Sequence, residues 1–165
     1  MATAKVTSSK VGDTLQVMVS GYIGEGAELF DLNFAGVKKV AFDLNGVSYL
    51  NSVGVKNWIN WTGRFPPDTN IQMYNCPTLI IAQVNMVVGF LPNNGTVESL
   101  SAPMICEDCN KEQSVTLTRG KDYQYASNKE SYKLQLPEVP CPKCKKPMTL
   151  DAVEAKFFNF LKSVR

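Results

Sequence analysis

Two pairs of closely spaced cysteines constrain this chain more than any other feature. Cys106 and Cys109 form one CxxC motif, and Cys141 and Cys144 form a second after a gap of 31 residues. Two such motifs can place four thiolates around one ion, which is the ligand set of a structural Zn²⁺ site. The chain contains no histidine, so the site has to be all-cysteine. We therefore expect one structural zinc ion per chain, held by these four residues.

Other chemistry is open to the same cysteines. They could form disulfides, a redox-active pair or the ligands of an iron–sulfur cluster. Disulfides are disfavoured by the cytoplasmic location that we expect. That expectation rests on the first ten residues, which lack an apolar signal segment, and on the absence of a membrane-spanning apolar run. Cys76 lies far from the motifs and is predicted to be a small buried side chain.

Residues 103–147 are predicted to form a small zinc ribbon. Short strand patterns at residues 114–118, 122–126 and 131–136 lie between the two CxxC motifs. The segment has too few apolar residues to fold by burial alone, so the metal should supply much of its stability. We expect metal removal to unfold residues 106–147 and to leave the preceding domain folded.

Residues 148–165 are predicted to form an amphipathic C-terminal helix. Thr149 is a suitable cap, and apolar residues follow at three- and four-residue spacings. The resulting stripe contains Leu150, Val153, Phe157, Phe160, Leu161 and Val164, with Phe158 lying off it. This stripe either packs on the rest of the chain or provides the arm of a homodimer.

Residues 1–102 show the alternation of strand and helix patterns that is typical of an α/β domain. The predicted strands are residues 6–8, 15–19, 40–44, 71–74 and 96–100, and the predicted helices are residues 27–33, 53–65 and 77–88. The last of these helices is apolar on nearly all sides, whereas a surface helix should have a polar face. It is therefore either covered by the ribbon and the final helix or part of an oligomer interface.

A serine stands where the helix at residues 53–65 begins. Ser52 follows a buried strand, a predicted turn and an apolar pair, and Gly54 comes two residues later. Free N–H groups and the helix dipole favour an anion at a helix N-terminus, so a phosphate on Ser52 could be accommodated there. Serine is also a preferred N-cap residue. The residues alone leave both roles open.

The stretch around Ser52 resembles the STAS domains of bacterial anti-sigma-factor antagonists. The matching residues are Asp43-Leu44, Gly46-Val47, Tyr49-Leu50 and Asn51-Ser52-Val53-Gly54-Val55, within a similar element order over residues 4–102. In that family the corresponding serine is the phosphorylation site. The resemblance implies a mixed β-sheet with helices on one face, and Ser52 as the phosphoacceptor. It also implies a partner such as an anti-sigma-type kinase.

The resemblance predicts a noncatalytic signalling module of the bacterial cytoplasm that binds a regulatory protein. The expected contact residues are Asn51, Ser52, Lys56, Asn57 and Asn60. An enzyme is not expected, because a chain without histidine lacks the commonest general base and the usual nucleophile pairs.

Nucleic-acid binding through the ribbon is the alternative hypothesis. Aromatic side chains can stack on bases while cations contact phosphates. The relevant residues are Tyr123, Tyr125, Tyr132, Arg119, Lys121, Lys129 and Lys133. Acidic residues are interspersed among them and the net charge is only +2, which makes this the weaker hypothesis.

Overall fold

The structure is a computed structural model that describes residues 3–25 and 32–165. Strands and helices alternate in the first part of the chain, and short strands dominate the rest, so the predicted α/β class is confirmed. The helix predicted at residues 27–33 falls mainly outside the described residues, and Leu32 and Asn33 belong to no helix or strand.

Five strands form the main sheet in sequential order. They are β1 (Lys5–Val11), β2 (Thr14–Ile23), β3 (Lys39–Leu50), β4 (Asn70–Tyr74) and β5 (Gly95–Val97). The first two form an antiparallel hairpin, and the remaining neighbours are parallel. Helices α1 (Ser52–Thr62) and α2 (Thr78–Met86) connect β3 to β4 and β4 to β5. Crossovers between parallel strands are almost always right-handed, so two that advance in one direction are expected to place both helices on the same face.

The main core lies between the sheet and these helices. Val40, Phe42 and Leu44 alternate along β3 and are completely buried. The ring of Phe42 contacts Trp58 and Trp61 of α1 at centroid distances of 5.2 and 5.3 Å. The apolar face predicted for this helix therefore covers β3.

Strand β3 is longer than predicted. It continues to Leu50, and the turn predicted before the apolar pair is an irregularity in the pairing with β2. Gly46 lies at this irregularity, where a Cβ atom would be 2.6 Å from Cβ of Ser20. Glycine thus lets the two strands stay close through a local change of register.

A second sheet continues directly from the main one. Strand β6 (Ser99–Ile105) pairs antiparallel with β7 (Glu112–Thr118) and with β10 (Thr149–Leu150). A single residue, Glu98, separates β6 from β5. The strand predicted at residues 96–100 therefore spans the end of β5 and the start of β6. The predicted domain boundary after residue 102 falls inside β6.

The ribbon strands do not form one sheet. Strand β7 pairs with β6, whereas β8 (Tyr123–Gln124) pairs with β9 (Lys133–Leu134). The hydroxyl of Tyr123 donates to Val97 O at 2.7 Å, and Val97 N donates to the hydroxyl of Tyr125 at 2.8 Å. Two side chains of the ribbon thus bind the backbone of β5.

The final segment is not the continuous helix predicted for residues 148–165. Its first residues form β10, and only α3 (Glu154–Phe157) and a 3₁₀ helix (Asn159–Lys162) follow. Pairing of β10 with β6 takes the first residues out of any helix, and the 3₁₀ turn breaks the 3.6-residue period.

The residues that are buried in this segment also differ from the predicted apolar stripe. Phe158, predicted to lie off the stripe, is completely buried, whereas Val153 and Val164 are 61% and 55% exposed. The helix prediction failed because the segment packs through its aromatic side chains at irregular spacing.

The final segment contacts one side of α2. Asn85 of α2 donates from Nδ2 to Phe157 O and accepts at Oδ1 from Phe160 N, both at 2.9 Å. Part of the apolar helix is therefore covered, which agrees with the first of the two predicted alternatives, while Met86 at its end remains 75% exposed. Within residues 3–25 and 32–165, helices long and apolar enough to cross a membrane are absent.

Candidate metal centre and candidate docking surface

The four cysteines of the CxxC motifs meet at one point, so they could hold a metal ion. Their Sγ atoms all lie within 4.8 Å of one another. The shortest separations are 3.5 Å between Cys106 and Cys144 and 3.4 Å between Cys109 and Cys141. Thiolates arranged tetrahedrally at about 2.3 Å from zinc lie about 3.8 Å apart, so the spacing fits one four-coordinate ion. A disulfide needs about 2.0 Å, and all four cysteines are free.

The two CxxC motifs have the same local structure. In the first, Cys106 N donates to Lys111 O and Asn110 N donates to Cys106 O, both at 2.8 Å. The equivalent bonds of the second turn join Cys141 to Lys146 and Lys145 to Cys141. The residue after the second cysteine has a positive φ in both turns, 56° at Asn110 and 66° at Lys145. Each turn therefore supplies its two sulfurs in the same way.

A small apolar cluster packs against one side of the four cysteines. Met104, Val139 and Met148 are buried beside Cys106 and Cys141, separately from the main core. Cys109 and Cys144 are half-buried. All four potential ligand atoms are sulfur, so a bound ion could have a complete coordination shell from the protein.

The thiols of Cys109 and Cys141 differ strongly in acidity. The hydrogen bond that the thiol of Cys109 donates to the sulfur of Cys141 is the main reason that the pKa of Cys109 is raised to about 12. Burial raises the pKa of Cys141, but backbone N–H groups of Cys144 and Lys143 outweigh it and lower that pKa to about 6. Metals bind thiolates, so metal binding has to release the protons that the less acidic thiols retain.

Ser52 lies in the first turn of α1 but does not cap it. Asn51 is the N-cap, because its Oδ1 accepts from Gly54 N at 2.7 Å and its Nδ2 donates to the hydroxyl of Tyr22. The side chain of Ser52 is exposed. The interpretation of Ser52 as the N-cap is therefore wrong, and its hydroxyl has no capping role.

The first turn of α1 is fixed against the end of β2. A Cβ atom at Gly54 would lie 1.9 Å from Ile23 O, so only glycine allows this approach. Asn57 adds a hydrogen bond of 2.8 Å from its Nδ2 to Gly24 O. These contacts hold Ser52 on a rigid part of the surface.

The five predicted contact residues divide into two groups. Ser52, Lys56 and Asn60 are exposed, whereas Asn51 and Asn57 are half-buried and make the internal bonds described above. The second group positions the helix and offers less surface to a partner.

Two exposed apolar side chains near the start of α1 are not among the contact residues predicted from the sequence. Tyr49 is 49% exposed and stacks on Tyr22 at 5.3 Å, and Val53 is 38% exposed. The alternation that identifies exposed strand positions is interrupted by the irregularity at Gly46, so the sequence pattern gave no sign of Tyr49. Together Tyr49, Ser52, Val53, Lys56 and Asn60 form a surface that we call the α1 face.

The ribbon tyrosines are poorly placed for stacking on bases. Tyr123 and Tyr125 are buried, and Tyr132 is half-buried. Burial also raises the pKa of Tyr125 to about 12. Nucleic-acid binding of the kind considered from the sequence would therefore lack two of its three stacking side chains.

Comparisons with protein-family models, curated proteins and solved structures find no match to this chain. The resemblance to STAS domains therefore rests on the sequence motif around Ser52, and the function has to be argued from the geometry of the α1 face and the metal centre.

Proposed function

We propose that this chain is a noncatalytic regulatory module of the bacterial cytoplasm that binds a signalling protein through the α1 face. The observation that carries the proposal is the placement of Ser52. Its exposed hydroxyl lies on the first turn of a rigidly held helix, next to the exposed Val53. The exposed Tyr49 stacks on Tyr22, to which the preceding residue Asn51 is hydrogen-bonded. Such a mixed surface can bury apolar area against a partner. A phosphate on Ser52 would change the charge of that surface.

Phosphorylation of Ser52 would act as the switch. A phosphate adds about −1.5 to −2 charges, and the N-terminus of a helix favours a negative charge. The first turn of α1 contains no acidic residue that would repel it. Lys56 lies four residues along the helix, where a side chain can reach the phosphate. The charge would therefore be tolerated by the fold but would oppose the burial of Tyr49 and Val53 by a partner.

The resemblance to STAS domains supports a partner such as an anti-sigma-type kinase, which would both bind and phosphorylate this face. The metal centre has a structural role in this proposal. The ion is Zn²⁺, because an all-sulfur tetrahedral set suits zinc and leaves no coordination position for a substrate.

Affinity purification from the source organism tests the proposal. We expect Ser52→Ala and Ser52→Asp proteins to differ at least tenfold in the recovery of one regulatory partner, and phosphosite mapping of the wild-type protein to find Ser52 modified. Ser131→Asp is the matched control, since Ser131 is exposed in the ribbon and far along the chain from α1. Equal recovery of every partner by the two Ser52 variants would refute the switch.

A further inference from the structure

An apolar groove runs between α2 and the final segment. Its volume is about 660 Å³, and its walls include Ala82 and Met86 on one side and Val153 and Phe157 on the other. A smaller hollow of about 270 Å³ continues the same seam, with Asn85 shared between the two. The two hollows therefore adjoin along α2, with the side chain of Asn85 between them.

Exposed apolar side chains concentrate on this part of the surface. Of the eight large apolar side chains that are exposed in the described residues, Met86, Val88, Val153 and Val164 belong to the end of α2 or to the final segment. Met86 and Val153 line the groove itself, and Val88 lines the hollow that continues it. Contiguous exposed apolar surface of this kind marks interaction sites in proteins that otherwise bury such side chains.

The charged side chains that line the groove are all positive. Lys156 and Lys162 are the only charged side chains among its lining residues. Neither takes part in an ion pair with another residue of the described ranges. A second copy of the chain docked about a two-fold axis would bring lysines of the same groove towards each other, which is unfavourable. An occupant with acidic groups beside an apolar face would pair with both lysines.

We propose that this groove binds an amphipathic helix of a partner protein, with apolar side chains on one face and Asp or Glu residues along its edges. Helices that dock in grooves place apolar side chains at spacings of three and four residues. The nine residues of α2 extend over about 13 Å, which matches two to three turns of such a helix. The groove is built by α2 and the final segment, so it goes beyond the α1 face of the proposed function.

Two synthetic peptides of the same apolar pattern test the proposal, one with Glu and one with Lys at the flanking positions. In fluorescence anisotropy with the full chain, we expect the Glu peptide to bind at least tenfold more tightly than the Lys peptide, and more weakly as salt rises. Met86→Asp should weaken the binding of the Glu peptide at least tenfold. The double variant Lys156→Glu and Lys162→Glu should reverse the preference.

Met18→Asp provides the matched control. Met18 is also a strongly exposed methionine, but it lies on β2, outside the lining of the groove. This variant should bind the Glu peptide like the wild-type protein, and circular dichroism should show that all variants are folded.

Several results would overturn the proposal. These are no binding of the Glu peptide, equal binding of both peptides, or binding that Met86→Asp leaves unchanged. A dimer in light scattering that Met86→Asp dissociates would assign the groove to self-association instead. Binding of anionic vesicles without binding of the Glu peptide would assign it to a membrane surface.

Discussion

Gly54 determines how closely the first turn of α1 lies against the end of β2. The helix backbone passes so near to Ile23 that a Cβ atom would be 1.9 Å from its carbonyl oxygen and 2.6 Å from its carbonyl carbon. Backbone atoms cannot move aside as the end of a flexible side chain does. The position of the α1 face, including Ser52, therefore depends on the absence of one methyl group.

Gly54→Ala should destabilise the protein by about 2 kcal/mol, although alanine is the better helix former. Alanine gains about 1 kcal/mol over glycine in an ordinary helix interior, whereas forcing extra atoms into packed structure costs about 1–3 kcal/mol and occasionally more. Rigid backbone at 1.9 Å puts this site at the upper end of that range, which leaves a net loss of about 2 kcal/mol. Urea denaturation of the metal-loaded protein measures the difference. Asn60→Ala, at an exposed position of the same helix, should change stability little. A gain in stability for Gly54→Ala would show that α1 does not lie this close to β2.

At the scale of secondary-structure elements, the short strand β5 is completed by two side chains from the ribbon. One side of β5 pairs with β4. On the other side, the hydroxyls of Tyr123 and Tyr125 bind the C=O and N–H of Val97, which is completely buried. Buried backbone groups need partners, so these tyrosines replace the next strand of the sheet.

Tyr125→Phe should lower the free energy of unfolding by about 1–3 kcal/mol. The substitution keeps the ring but leaves the buried N–H of Val97 without its acceptor, and an unsatisfied buried donor costs about that amount. Chemical denaturation monitored by fluorescence provides the measurement. Tyr132→Phe is the control, because Tyr132 is half-buried and does not bond to β5. If both variants are equally stable, the hydroxyl of Tyr125 does not complete the strand.

The elements that the sequence predicted well are those with a regular period. Helix α1 and strands β3 and β4 were found because their apolar residues alternate or recur along a continuous core. The final helix was mispredicted because Thr149 and Leu150 pair with β6, more than 40 residues earlier in the chain. Pairing over that distance leaves no local trace in the sequence.

The candidate sites also divide into features that a local sequence pattern determines and features that depend on distant contacts. The cysteine cluster was predictable because the CxxC spacing itself fixes the local turn, and the four cysteines meet as expected. The role of Ser52 was ambiguous, since Asn51 and Ser52 are both good caps and only the bond from Gly54 to Asn51 decides between them. Tyr49 was missed because its exposure depends on an irregularity in strand pairing.

At the scale of the whole molecule, one large core within residues 3–25 and 32–165 crosses the predicted domain boundaries. Leu117, Tyr123 and Tyr125 of the ribbon and Phe158 of the final segment belong to the same buried cluster as Phe42 of β3. The metal centre has a second, smaller cluster around Met104 and Met148. We therefore expect the unit that depends on a bound metal to be smaller than the ribbon predicted from the sequence, because much of that ribbon is anchored in the main core.

Removal of the metal should accordingly unfold the two CxxC turns and leave most of the ribbon in place. We expect a chelator to increase hydrogen exchange at residues 104–111 and 139–148, because their small cluster forms around the four cysteines. Exchange should change little in β3, in α1 and around Tyr123 and Tyr125, which the main core retains. Hydrogen exchange followed by mass spectrometry, with and without the chelator, locates the change.

Two cysteine variants separate the effect of the metal from that of packing. Cys141→Ser should lose the single zinc ion in metal analysis and show the exchange pattern of the chelated protein, because three thiolates bind a structural ion far less tightly than four. Cys76→Ala should keep one zinc ion per chain, since Cys76 is completely buried in the main core and lies outside the cysteine cluster. Loss of protection throughout β3 and α1 after chelation would show that the main core also depends on the metal. Unchanged exchange at both CxxC turns would show that the four cysteines hold no structural ion.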